Sequence, residues 1–93
     1  MAGSIVIANT KGYSGTVNSS GSTITFPSRS RRLIITNDSG IVSLTVDLKS
    51  GSGNTIELKP DETLNIDDYW TKAVDLTCAA SGQTCPYRVW WFG

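Results

Sequence analysis

Apolar and polar residues alternate with a period of two along most of this chain, and no useful length of it sustains the 3.6-residue period of an amphipathic helix. A period of two sends successive side chains to opposite faces of a strand, so the pattern commits the chain to sheets with one buried face. The clearest instance is 41–49, where Val42, Leu44, Val46 and Leu48 share one face and Ser43, Thr45 and Asp47 share the other. The same reading predicts strands at 4–8, 22–26, 32–36, 54–59, 63–67, 73–79 and 83–92. Composition agrees: twelve Ser, eleven Thr and nine Gly make up about a third of the 93 residues, which is strand and turn material and excludes a helical bundle. The expectation is an all-β, single-domain antiparallel β-sandwich over 1–93, jelly-roll-like, with about eight short strands. Its N-terminal portion, about 1–21, is expected to be flexible, because Lys11-Gly12-Tyr13-Ser14-Gly15 and Asn18-Ser19-Ser20-Gly21 look like punctuation.

Turn chemistry suggests a meander through the middle. Asn37-Asp38-Ser39-Gly40, closed as a four-residue loop, sets Ile35 opposite Val42 and Leu33 opposite Leu44. The loop 49–53 sets Val46 across from Ile56 and Leu44 across from Leu58, and the turn at Pro60-Asp61-Glu62 lets Leu58 face Leu64 and Ile56 face Ile66. A last hairpin centred on Ser81-Gly82 pairs Leu76 with Tyr87, Val74 with Val89 and Cys78 with Cys85. Its other face then carries Pro86, Arg88, Trp90 and Phe92.

Charge and chemistry narrow the function. Eight basic residues balance eight acidic ones, so no global field draws in nucleic acid or an anionic membrane. The longest apolar run is too short to cross a bilayer, and 1–9 lacks the pattern of a secretory signal. There is no His, and no nucleophile, base and orienter can be assembled; no enzyme, cofactor or metal is expected. Cys78 and Cys85 match no common zinc or thioredoxin spacing, and buried free thiols are favoured over a bridge. Asp67 and Asp68, with Asp61, Glu62 and Asp75, lack a calcium-loop signature and look like solvated loop charges. Arg29 and Arg31 form the one basic cluster and suit either a solubilising edge or a partner's acidic surface. Nucleic acid is disfavoured there because no aromatics are interleaved. Trp70, Trp90 and Phe92 are candidates for a protein interface, for the core, or for a carbohydrate platform.

The run 32–40, then Leu44-Thr45-Val46, then 56–64 with its Leu58-Lys59-Pro60-Asp61-Glu62, and the closing 87–93 together resemble small β-sandwich virion proteins of tailed bacteriophages. In that family the turn usually runs Leu-x-Pro-Gly-Glu, and Asp61 stands here where Gly is usual. The resemblance implies a non-enzymatic structural protein that decorates and stabilises the capsid as a cement protein. Such a protein is made in the host cytoplasm and located in the virion. The expected partners are the chain itself, as a homo-oligomer nominally trimeric, and the major capsid or another virion protein; strand parity, the loop aromatic and the basic pair put Trp90, Phe92, Trp70, Arg29 and Arg31 at the interface. Neither nucleic acid nor membrane is expected as a partner. A tail, neck or fibre component and a carbohydrate-binding module are the alternatives.

Overall fold

The computed structural model describes residues 10–93, and these form eight strands and no helix. They are β1 (Thr10–Val17), β2 (Ser22–Thr25), β3 (Arg32–Asn37), β4 (Leu44–Asp47), β5 (Thr55–Leu58), β6 (Thr63–Asp67), β7 (Ala73–Cys78) and β8 (Cys85–Phe92). The strand expected at 4–8 lies outside the described residues.

One pairing rule generates the architecture. β1 pairs with β8, β2 with β7, β3 with β6 and β4 with β5, all antiparallel, so the chain is a single long ribbon whose tip is the β4–β5 turn. Rolling the ribbon up sets β8 beside β3 and β7 beside β4. The result is two four-stranded sheets, a first of order β1-β8-β3-β6 and a second of order β2-β7-β4-β5. This is the double-sheet jelly-roll arrangement of a β-sandwich. Between the sheets lies one core in which Leu33, Ile35, Leu44, Val46, Val74, Leu76 and Val89 are each at most 1% exposed. The alternating pattern forms this core because every strand contributes its apolar parity to the same interior.

The β4–β5 hairpin has the expected register, Val46 opposite Ile56 and Leu44 opposite Leu58. The other three expected hairpins do not form. β3 pairs with β6 and β8 rather than β4, β5 pairs only with β4, and β7 pairs with β2 and β4 rather than β8. In each case the turn carries the chain from one sheet across to the other. Apolar residues oppose apolar residues equally well when two strands face each other through the core, so parity alone does not distinguish a hairpin from a crossover.

The crossover at 38–43 has an identifiable cause. Asn37 is fully buried, and its side-chain Nδ2 donates to the carbonyls of Val42, Leu58 and Lys59 at 2.9, 3.0 and 3.2 Å. Its Oδ1 accepts the Ser39 N–H at 3.0 Å. The amide at the end of a first-sheet strand thus holds the backbone of the second sheet's edge, satisfying groups that a crossover would otherwise leave unpaired.

The stretch 10–17, expected to be irregular, is an eight-residue edge strand along the whole of β8. Its glycines serve packing. A β-carbon on Gly12 would stand 2.8 Å from Cζ3 of Trp90, and one on Gly15 would stand 3.1 Å from the Tyr87 hydroxyl. Two aromatic side chains occupy the space that a β-carbon at either position would need.

Candidate functional site

The parity of β8 is as the sequence indicates. Val89 and Trp91 point into the core, where Trp91 stacks on Phe26 at 6.5 Å between centroids and its Nε1 donates to the Ser28 carbonyl at 3.2 Å. Arg88 and Trp90 point outward and are exposed, and Phe92 is half-buried. The five residues expected at an interface divide between two surfaces.

Trp90 and Phe92 occupy the outer face of the first sheet. The register sets Gly12, Trp90, Ile34 and Asn65 in one row across the four strands. Lying across Gly12, the Trp90 indole remains 46% exposed, with half-buried Ile34 beside it. The next row brings Phe92 beside Arg32, whose guanidinium sits over the phenyl ring at 5.4 Å and also meets Asn65 Oδ1 and Asp67 Oδ1, each at 3.2 Å. Below Trp90, Arg88 forms a bidentate pair with Asp38, at 2.8 and 2.9 Å, which raises the arginine's pKa. Two fixed guanidinium groups therefore frame one apolar platform.

Trp70, Arg29 and Arg31 sit at one end of the sandwich, where the loops 26–31, 48–54 and 68–72 meet. Backbone bonds tie the three together: Phe26 N–H to the Lys72 carbonyl, Ser30 N–H to that of Thr71, and Ser50 N–H to that of Ala73. Buried Ser30 donates from its hydroxyl to the Tyr69 carbonyl and accepts the Thr71 N–H. On this frame Trp70 is 63% exposed. Lys49 and Lys72, which the sequence reading did not single out, line the same region. Their separation along the chain hides them, since Lys49 comes from the β4–β5 hairpin loop and Lys72 from the crossover between β6 and β7.

Of the carboxylates taken as solvated, Asp61, Asp67 and Asp68 are exposed. Asp75 is not a free loop charge. It accepts hydroxyl bonds from Thr23 and Ser50 at 2.6 and 2.7 Å and the Gly51 N–H at 3.0 Å, and these donors hold its pKa down. Asp47, next to it in register, is buried beneath the same loop and accepts from Ser52, Gly53 and Lys49. The Ser52 bond is foremost in lowering its pKa. The sequence signal was the Gly-Ser loop 50–53 immediately after Asp47, rich in backbone and hydroxyl donors.

Cys78 and Cys85 are buried free thiols on opposite sheets, with Sγ atoms 3.2 Å apart through the core. Burial first, and then the neighbouring thiol, push Cys85 up to about 12, far from thiolate chemistry. Among the described residues no group of three or more Cys, Asp and Glu side chains is gathered for a metal ion.

No protein-family model matches this chain, and no curated protein is similar to it at a significant level.

Proposed function

We propose that this chain is a non-enzymatic structural protein of a tailed-phage virion, decorating the capsid surface as an oligomer through the outer face of its first sheet. The observation that carries this reading is the Trp90 platform: a large indole laid over Gly12 on a rigid sheet, half exposed, with Ile34 at its flank and clamped arginines around it. Trp and Arg are the residues in which binding energy concentrates at protein interfaces. Burying such a patch against a second copy or the shell removes an association liability and adds stability that a domain of this size needs. A carbohydrate platform calls for a row of free aromatic faces, whereas the Arg32 guanidinium covers Phe92 and leaves Trp90 alone on this sheet.

Sedimentation velocity and co-sedimentation with purified capsid shells and with tails test the proposal. The protein is expected to self-associate and to travel with shells. Trp90→Ala should weaken both by about thirtyfold or more, as for an interface anchor worth about 2 kcal/mol. A monomer that ignores shells, travels with tails instead, or binds shells equally well without Trp90 would overturn it.

A further inference from the structure

Two depressions of about 390 Å³ each are lined in part by Trp70, and both are bounded by Arg29 and Lys72 as well. Lys49 completes one and Arg31 the other. No Asp or Glu side chain lines either. Arg32 and Arg88 are the cations held in ion pairs among the described residues, so half of the chain's eight basic residues converge here without an acidic partner. The nearby Asp47 and Asp75 are taken up by the donors of 49–53. The hydrogen bonds among the three loops fix the frame before any ligand arrives.

We infer that this end of the sandwich binds single-stranded nucleic acid, with bases stacked on the Trp70 indole and phosphates on Arg29, Arg31, Lys49 and Lys72. The sequence disfavours nucleic acid because no aromatic interleaves the basic cluster; in space Trp70, supplied by a distant loop, lines one depression with Lys49 and the other with Arg31. An exposed indole that borders two depressions rimmed by cations suits a ligand that alternates flat rings with anionic groups, which is the chemistry of an unpaired strand. A neutral sugar would need amide or carboxylate side chains as acceptors for its hydroxyls, and neither depression offers one. An acidic peptide would satisfy the cations but gives the exposed indole no ring to stack on. This inference is independent of the sheet-face contact proposed above.

Titration of the intact protein with an eight-residue oligothymidylate in about 20 mM salt, followed by tryptophan fluorescence, tests it. Quenching is expected, with a log–log salt slope of about −2 to −3 for three to four phosphates at about 0.7 each. Trp70→Ala should abolish the quench and weaken binding by about tenfold to a hundredfold, the range of one lost stack. Arg29→Ala with Lys72→Ala should reduce the slope by about 1.4 while leaving the residual quench at saturation. Heparin and an oligoglutamate of equal charge serve as competitors. Absence of binding, binding indifferent to Trp70, or displacement by either competitor at lower concentration than the oligonucleotide would overturn the inference, the last pointing to an acidic glycan or an acidic protein segment.

Discussion

Replacing Asn37 with Ala tests the cause of the crossover directly. The substitution removes the donors to the Val42, Leu58 and Lys59 carbonyls and the acceptor for the Ser39 N–H, of which all but the part-buried Lys59 bond are closed to solvent. Nδ2 carries two protons, so two full bonds and a shared third are lost on that side, and one on the other. A buried backbone group left without a partner costs about 1 to 3 kcal/mol; the Leu58 carbonyl and the Ser39 N–H lose their Asn37 bonds and the Val42 carbonyl keeps only a 3.9 Å thiol contact, while the Lys59 carbonyl still accepts the Glu62 N–H. Allowing for partial relaxation, the loss should be about 3 to 5 kcal/mol, a large fraction of the roughly 5 to 14 kcal/mol that a 93-residue domain possesses. Urea melts should show the midpoint falling at nearly constant slope, and thermal melts should drop by 12 °C or more at about 4 to 8 °C per kcal/mol. Asn37→Asp separates hydrogen bonding from packing because it keeps the volume and faces a carboxyl to the same carbonyls. Its folded pKa should lie above the unfolded value of about 3.9, so its penalty should be smallest below pH 4 and grow as the pH rises from there toward the folded pKa. A loss under about 1 kcal/mol for Ala, or a pH-independent penalty for Asp, would refute the claim that this amide carries the crossover.

Four further outcomes follow from the geometry. Asp61 has φ +64° at the third position of a turn closed by the Glu62 N–H on the Lys59 carbonyl, so Asp61→Gly should stabilise by about 0.5 to 1 kcal/mol in urea melts. Trp91→Ala should cost about 3 to 5 kcal/mol, and Trp90→Ala less than half of that, in the same melts. Cys78 and Cys85 should both escape a thiol reagent in the native state and both react once the protein is unfolded without reductant. Asp47 and Asp75 have lowered pKa values, so their contribution to stability is present above the unfolded carboxylate value and is lost as the pH falls through the folded one; hydrogen exchange over 49–53 should accelerate below about pH 4 before the core strands open.

The strands and their buried faces were legible in the sequence because alternation is a local property. β6 has its expected bounds, and the inward and outward residues of β8 are as expected. What alternation could not carry was the choice of partner, since the inner faces of both sheets meet in one core. The residues that decide it are polar: Asn37 spends its amide on second-sheet carbonyls rather than on a hairpin turn. β1 was missed for a related reason. Gly12 and Gly15 lower strand propensity, yet they sit under Trp90 and Tyr87, and that need is visible only once β8 is known to lie alongside. The interface residues were recognised singly, but the gathering of Lys49 and Lys72 around Trp70 depends on where the β4–β5 hairpin loop meets the β6–β7 crossover and has no sequence spacing of its own.

The rolled ribbon also constrains how the protein is made. Its one pairing between neighbouring strands is the β4–β5 hairpin, while Thr10 waits for Phe92. β8, the last of these eight strands to be synthesised, is an interior strand that supplies partners to both β1 and β3. Until it leaves the ribosome, the apolar run Leu33-Ile34-Ile35 has one side unpaired, and β1 has no partner at all. The sandwich therefore cannot close until β8 has emerged, and its folding should be slow for its size, on the order of milliseconds to seconds, as expected for a topology dominated by distant pairings. The chain is exposed to mispairing throughout that interval, and loss of even a few residues of β8 threatens the first sheet as a whole.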